Sequence, residues 1–192
     1  MNDEIKILIV GAIISLFSTM IGFLGQTLIQ YLISNKGTVK IYIKKVYSKV
    51  NNQPYGFIKD GRDMIFSVPI WIEFHNTKEK REIIRNVNLQ IYNKGKYISN
   101  MVQASHIKET AYANNGAYSF ILEPLSISKF DLQFLIKKSE IEDDFSEVRI
   151  SYYDSKDMYH ERKILDIDNP WESKMYSIDK DWFLITRIVK LS

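Results

Sequence analysis

The side chains that most often carry catalysis or bind metals are scarce in this sequence, which has three histidines and no cysteine. His75, His106 and His160 fall in different segments and share no metal-ligand spacing. His160 lies close to Asp157 and Glu161, but neighbouring residues on a strand point to opposite faces. We therefore expect a solvated hairpin around His160, and His75 at a strand end or on the surface.

Two acidic stretches are the remaining candidates for a cation site. The first is a run more typical of a solvated loop between strands; it comprises Glu140, Glu142, Asp143, Asp144 and Glu147. The second, "DIDNPWE", begins like a calcium loop but lacks the glycine of the sharp turn and the distal glutamate. We therefore predict no metal site.

Motifs for phosphate loops, dinucleotide binding, nucleophile elbows and zinc proteases are absent from the sequence. We expect no catalytic residue and no cofactor, and predict that the protein is not an enzyme. The alternative is an unusual acidic or histidine site built from His160, Asp154 and Asp157. Nucleic-acid binding is not expected, because the formal net charge is only +3 and no strip of basic and aromatic residues is present.

An N-terminal run, Ile7 to Ile33, has 27 consecutive residues without a charged side chain. A helix of that length extends about 40 Å, which exceeds the hydrocarbon core of about 30 Å. A signal peptide would have a basic start and an A-x-A-like cleavage site, whereas this chain starts with "MNDEIK" and shows no such site. The sequence therefore predicts a retained single transmembrane helix within residues 1–36.

The flanking charges predict the orientation of this helix. One basic residue, Lys6, precedes it beside Asp3 and Glu4, whereas five lysines follow it within residues 36–49. By the positive-inside rule, the C-terminal domain lies in the cytoplasm. Richness in Lys, Ile and Asn is typical of an AT-rich bacterial or phage gene, so we expect a single-pass protein of the bacterial inner membrane.

Small and polar residues recur along the predicted span at helical spacing. The small residues are separated by 4, 3, 4 and 3 positions, and three larger polar residues flank the same side. This set, which we call the polar face, comprises Gly11, Ser15, Ser18, Thr19, Gly22, Gly25, Gln26 and Gln30. Small residues allow close approach of helix backbones in lipid, and buried hydroxyls and amides bond across helices. We predict a helix–helix interface that makes a homo-oligomer.

Two alternatives to this interface remain. In the first, the serines and glycines only reflect the usual composition of transmembrane helices, and Gln26 and Gln30 reach the headgroup region. In the second, a ring of such helices turns its Ser, Thr and Gln side chains toward a water-filled pore.

After Gly37 the apolar pattern changes from helical to alternating, as in "TVKIYIKKVY" and "DLQFLIK". The stretches "NKGK" and "DSKD" predict hairpin turns between such strands. Seven or more short strands separated by turns predict a mainly β fold, in which the transmembrane helix is followed by an antiparallel β-sandwich over residues 37–192. Pro69 is expected to demote the first half of its strand to an edge or a bulge.

The layout of these strands resembles immunoglobulin-like and fibronectin-like domains in strand number and pattern. The resemblance implies that Trp71 lies in the core, although the diagnostic cysteine pair is absent. Domains of this kind usually bind or space other molecules, and they seldom catalyse reactions.

The C-terminal segment 171–192 allows two conformations. Ile178, Trp182, Ile185 and Val189 have the spacing of a short amphipathic helix, packed on the sandwich or lying at the membrane surface. The run "WFLITRIV" also fits a final buried strand.

The segment 51–63 is predicted to be a loop between two strands, and loops of this length often bind partners. It mixes aromatic and basic side chains, and the candidate partner-binding residues are Tyr55, Phe57, Lys59 and Arg62. The leading hypothesis is a non-enzymatic membrane protein whose cytoplasmic sandwich binds a protein partner and whose helix drives oligomerisation. The alternative is a membrane-permeabilising effector of the bacterial defence or toxin type, in which the sandwich senses a signal.

Overall fold

The computed structural model describes residues 3–49, 52–107, 110–113 and 118–185, with side chains described in these ranges except at 105–107 and 110–113. The described chain begins with one long α-helix, α1 (Asp3–Asn35), and continues as β-strands in two antiparallel sheets. The predicted fold class, an N-terminal apolar helix followed by a β-sandwich, is confirmed. The helix ends at Asn35 and the first strand begins at Val39.

The strands follow one another through mostly short connections. In chain order they are β1 (Val39–Lys45), β2 (Gly56–Asp60), β3 (Asp63–Asn76), β4 (Glu82–Asn93), β5 (Lys96–Asn100), β6 (Val102–Ile107), β7 (Thr110–Ala113), β8 (Phe120–Leu122), β9 (Ser126–Lys137), β10 (Glu147–Tyr153), β11 (Tyr159–Asp166) and β12 (Phe183–Leu184). A 3-10 turn, Lys138–Glu140, follows β9.

In the described part of the chain, seven strands form the first sheet, in the order β12-β1-β3-β9-β6-β7, with β2 paired to β3. Five other strands of the described residues form the second sheet, in the order β11-β10-β4-β5, with β8 paired to β4. Strand alternation sends every second side chain of these strands into the core. Ile41 and Ile43 of β1 are buried, and so are Val87, Leu89 and Ile91 of β4.

Both predicted hairpins are present. Lys94 and Gly95 join β4 to β5 with φ angles of 48° and 81°, and positive angles at both positions suit a two-residue hairpin turn. The "DSKD" turn joins β10 to β11.

Pro69 does not place its strand at an edge, contrary to the expectation from the sequence. β3 is a central strand that pairs with β9 from Ile65 to Asn76 and, on its other side, with β1 and then β2. The Pro69 carbonyl accepts a hydrogen bond from Val46 N at 3.2 Å, on the side where the pairing changes from β1 to β2. The N–H that proline lacks would point into that break, so no ladder bond is lost.

Trp71 is not a core residue, so this part of the immunoglobulin-like expectation is wrong. It is only partly buried, because Ile70 and Ile72 on either side of it occupy the inward positions of β3. Its ring instead makes a cation–π contact with Lys129, whose Nζ lies 3.6 Å from the ring centre.

Up to Ile185, where the described residues end, the C-terminal segment takes the strand alternative. Residues 178–185 form no helix, and Phe183 and Leu184 pair with Ile43 and Tyr42 of β1. Ile185 is buried, and its N–H donates to the Ile41 carbonyl at 2.8 Å. Val189 lies outside the described residues.

Candidate functional site

The polar face of α1 lies along one side of the helix. At about 100° per residue, its five small residues fall within an arc of about 80°. The larger members, Thr19, Gln26 and Gln30, continue on one flank of that arc. Residues 3–33 are all exposed, and a Cβ atom added to any glycine of the helix would meet no atom within 4 Å. The face is therefore open to whatever surrounds the helix.

Two hydroxyls of the helix bond to its own backbone, whereas two of its side-chain amides do not. Thr19 Oγ1 donates to the Ser15 carbonyl at 2.8 Å, and Thr27 Oγ1 donates to the Phe23 carbonyl at 2.9 Å. Within the described residues, the side-chain amides of the two glutamines at positions 26 and 30 have no hydrogen-bond partner. In lipid, these amides are the groups that most need a partner outside their own helix.

Three contacts attach the end of the helix to the loop 77–81, between β3 and β4. Lys80 Nζ donates to Asn35 Oδ1 at 2.6 Å. Thr38 N donates to Thr77 Oγ1 at 2.9 Å, and Thr77 N donates to the Thr38 carbonyl at 3.0 Å. Gly37 has a φ of 107°, and a Cβ atom there would lie 2.5 Å from the Thr77 carbonyl oxygen. The junction between helix and sandwich is therefore closely packed.

The buried side chain of Asn76 organises this end of the sandwich. Its amide donates to the Lys80 and Glu123 carbonyls, both at 2.9 Å, and its Oδ1 accepts from Lys78 N at 3.1 Å. Leu125 N also donates to the Lys78 carbonyl at 3.0 Å. The loop that follows β3 and the turn between β8 and β9 are consequently fixed to each other and to the helix.

A cavity of about 470 Å³ opens beside the junction, between the start of β1 and the β10–β11 hairpin. Apolar and aromatic side chains line it, among them Val39, Ile41, Ile84 and Tyr152. Three lysines also line it, namely Lys40, Lys78 and Lys156. Apolar walls with basic residues suit a ligand or a partner side chain that carries an anionic group.

One carboxylate of this cavity, Glu82, carries a negative charge that is already balanced by a lysine. It is 3% exposed, and it accepts hydrogen bonds from Lys78 Nζ at 2.7 Å and from the Ser155 hydroxyl. Burial is the largest single influence and acts to raise the pKa of Glu82, but the two hydrogen bonds together with the charges of Lys78 and Lys80 outweigh it, so the pKa is lowered overall. Glu82 stays ionised and engages Lys78, which leaves Lys40 and Lys156 to meet an incoming anion.

The structure brings together two residues of the alternative enzymatic site, His160 and Asp154. His160 Nε2 lies 2.8 Å from Asp154 Oδ2, and the imidazole stacks on Tyr152 with ring centres 5.0 Å apart. Asp154 also accepts hydrogen bonds from Lys156 N and Met158 N. Burial acts to raise the pKa of Asp154, but the His160 contact and these two backbone bonds lower it overall. These contacts close the β10–β11 turn.

Other groups near this pair do not complete a nucleophilic site. Asp157 pairs with Arg85 at 2.7 Å instead of joining His160. The Ser155 hydroxyl is bonded to Glu82, and burial raises the pKa of Tyr152 to about 12, so the phenol stays protonated at neutral pH. The expectation of a solvated hairpin at His160 fits an imidazole that remains partly exposed.

The predicted recognition loop is mostly a β-hairpin, and two of its four candidate residues are inaccessible. Tyr55 is 8% exposed and Phe57 is fully buried, because β2 pairs with β3 and turns Phe57 into the core. Lys59 and Arg62 are exposed near the β2–β3 turn. A partner could contact these two cations but not the aromatic pair, and their role in binding stays a prediction.

The remaining candidate residues lie apart from the cavity. His75 lies at the end of β3, with Nε2 2.5 Å from Glu73 Oε1, and His106 lies in β6, in a stretch whose side chains are not described. The acidic residues around the connection from β9 to β10 are exposed, namely Glu140, Glu142, Asp143 and Asp144. Within the described ranges, no three His, Asp or Glu residues are placed to hold a metal ion.

The junction and the cavity were missed by reasoning from sequence. The stretch "HNTKEKR" is polar and predicts a turn after β3, but nothing in it indicates that Asn76 is buried or that Thr77 contacts Thr38. Comparison with known proteins adds no identification: no protein-family model matches the sequence, and no curated protein matches it significantly.

Proposed function

We propose that this chain is a non-enzymatic, single-span membrane protein that self-associates through the polar face of α1 and presents its β-sandwich to a partner in the cytoplasm. The observation that carries the proposal is the complete exposure of a helix long and apolar enough to cross a membrane. Because the sandwich covers none of that apolar surface, lipid and further helices are its natural neighbours.

The chemistry of the polar face supports self-association. Open glycine positions on one side of α1 allow a second backbone to approach closely, and Gln26 and Gln30 supply amides that can pair across an interface. A second copy of the helix offers the same groups in a matching arrangement, as a symmetric interface requires.

The assembly state in detergent or lipid tests this proposal. Gly22→Leu and Ser18→Leu should shift the protein toward the monomer, because both place bulk in the interface. The matched control is Thr27→Leu, about 140° around the helix from Gly22, which should leave the assembly unchanged. If the size of the Gly22→Leu protein by light scattering equals that of the wild type, self-association through this face is wrong.

The sandwich offers two basic regions to a partner: Lys59 and Arg62 near the β2–β3 turn, and the lysines that line the cavity near α1. The first region lies at the end of the sandwich farthest from α1 along β3, where a cytoplasmic protein has free access. An acidic partner surface is complementary to both.

A membrane-permeabilising effector is the second candidate, favoured by the same unpaired amides. A ring of helices with Gln26, Gln30, Ser15 and Ser18 on its inner side would line a polar path. This candidate predicts that triggered cells depolarise, and that Gln26→Leu or Ser15→Leu abolishes depolarisation. Assembly without depolarisation under any trigger would leave the anchor and exclude the pore.

A further inference from the structure

Exposed aliphatic side chains lie on both strands that flank the β8–β9 turn, which crosses from the second sheet to the first. Ile121, Leu125 and Ile127 are 65%, 68% and 68% exposed, and Ile83, the cross-strand neighbour of Ile121, is 47% exposed. Single exposed aliphatic residues are ordinary on protein surfaces, but a group of them at one site usually contacts another apolar phase.

Besides being exposed, Leu125 has a backbone conformation that is unfavourable for leucine. Its φ is 49°, a left-handed conformation that glycine or asparagine adopts more readily than leucine. Pro124 and Leu125 form the turn, which is held by a hydrogen bond from the Ser126 hydroxyl to the Glu123 carbonyl at 2.6 Å. An exposed leucine in a strained conformation is better explained by a contact that it makes than by the fold of the turn.

The position of the turn relative to α1 indicates which apolar phase it meets. Hydrogen bonds lead from Asn35, at the end of the helix, through the loop 77–81 and Asn76 to the turn 123–125. This path holds the turn beside the C-terminal end of the helix. Since the uncharged run of α1 continues to Ile33, that end lies at the bilayer surface when the helix spans the membrane.

Basic side chains surround the aliphatic group at this end of the sandwich. Of the seven Lys or Arg residues in the stretches 36–40, 77–85, 121–127 and 154–160, four pair with Glu82, Glu123 or Asp157. Within the described residues, Lys36, Lys40 and Lys156 form no ion pair, and these three can meet anionic headgroups. Apolar residues beside basic residues are characteristic of surfaces that bind the interface of an anionic bilayer.

We propose that the end of the sandwich nearest α1 docks on the bilayer that the helix enters, with Leu125 and the flanking Ile121 and Ile127 inserted at the level of the headgroups of anionic phospholipids. This inference rests on the proposed single span. It makes the sandwich a lipid-binding domain as well as a domain on a membrane anchor.

The absence of cysteine allows the proposal to be tested with single labels on the full chain. The variants Ile127→Cys, Tyr97→Cys and Leu24→Cys each carry one environment-sensitive fluorophore, in vesicles of phosphatidylcholine and phosphatidylglycerol with or without a nitroxide-labelled lipid. Tyr97 is the control, because it is 45% exposed at the other end of β4 from Ile83. Leu24 reports insertion of the helix, because it is 60% exposed and lies on the side of α1 away from the polar face.

We expect the nitroxide lipid to quench the labels at Ile127 and Leu24 and to leave the label at Tyr97 bright. A quenched Leu24 label beside an unquenched Ile127 label overturns the docking and leaves the single span. An unquenched Leu24 label overturns both. A blue-shifted Ile127 label that is unquenched and depends on the ratio of protein to lipid shows a second copy covering the turn, which also overturns the proposal.

A second variant separates docking from folding. Leu125→Gly suits the left-handed turn, so we expect the unfolding midpoint of the sandwich in detergent to stay the same or rise. In vesicles the same substitution should reduce quenching of the Ile127 label. A lower midpoint with unchanged quenching would show that Leu125 serves the fold alone and would contradict its insertion.

Discussion

The helix and the sandwich both carry large amounts of apolar surface, but they remove it from water in different ways. The sandwich buries side chains such as Phe66, Phe74 and Leu89 completely between its own sheets. The helix buries none of its residues against the rest of the described chain. The sandwich therefore contains the partners that it needs to fold, whereas the apolar surface of α1 has none within the described chain.

This difference means that substitutions in the two regions should be read out by different measurements. All three tryptophans, Trp71, Trp171 and Trp182, belong to the part of the chain that follows β1. Their fluorescence during urea denaturation in micelles consequently reports the sandwich and not the helix. The assembly state reports the helix.

The largest effect is expected from Phe66→Ala. Phe66 is fully buried, with its ring centre 4.6 Å from that of Phe57 and 5.3 Å from that of Phe145. Removing such a ring should lower the free energy of unfolding by about 3–5 kcal/mol. Phe17→Ala, on the exposed surface of α1, is the control and should leave sandwich unfolding unchanged. If both variants lower the midpoint equally, the two regions do not fold independently.

The next effect concerns Glu82 and its dependence on pH. The lowered pKa means that ionised Glu82 stabilises the fold at pH above its ordinary value of 4.5, and that this stability is lost as pH falls through the folded-state pKa. Glu82→Gln should cost about 2 kcal/mol at pH 7 and reduce the loss of stability between neutral and acidic pH. Glu142→Gln, at an exposed position, is the control; an equal change there would show that Glu82 has no special contribution.

A smaller effect is expected at the junction, from Gly37→Ala. The new Cβ atom would lie 2.5 Å from the Thr77 carbonyl oxygen, and the backbone at this position would hold the alanine at a positive φ. A cost of about 1–2 kcal/mol follows from the backbone strain. Gly61→Ala also has a positive φ, 61°, but meets no atom within 4 Å. The excess loss in Gly37→Ala over Gly61→Ala measures the contact with Thr77 together with the less favourable φ at Gly37, and identical losses in the two variants would argue against a closely packed junction.

The smallest effect is expected on the outer surface of the first sheet, from Lys129→Ala. Lys129 Nζ lies 3.6 Å from the ring centre of Trp71 and 5.5 Å from that of Trp182. Such exposed contacts contribute about 0.5–1 kcal/mol. The emission of Trp71 should also change in the folded protein. Lys138→Ala is the control at another exposed lysine, and an emission spectrum unaltered by Lys129→Ala would show that the contact does not form.

Local patterns in the sequence were sufficient to predict the main elements. An uncharged run from Ile7 to Ile33 predicts α1, and alternation such as Val39, Ile41 and Ile43 identifies strands and their inward faces. These features depend on residues close together in the chain, so a single sequence is enough to find them.

Features that depend on distant segments could not be predicted in this way. Pro69 is tolerated in a central strand because β2 pairs with the residues of β3 before it and β1 with the residues after it. Phe57 is buried because β2 pairs with β3. The junction at Thr77 and the cavity near α1 likewise join residues from segments far apart in the chain. Only the folded chain shows which polar groups meet there.

The length of α1 has a mechanical consequence. Its uncharged run is about 10 Å longer than an average hydrocarbon core, and a helix adapts to such hydrophobic mismatch by tilting. Because hydrogen bonds at Thr38 and Lys80 hold the sandwich against the end of the helix, the sandwich should tilt together with the helix. A thicker bilayer would then bring the whole molecule upright, so membrane thickness would set the angle at which the sandwich stands over the lipid.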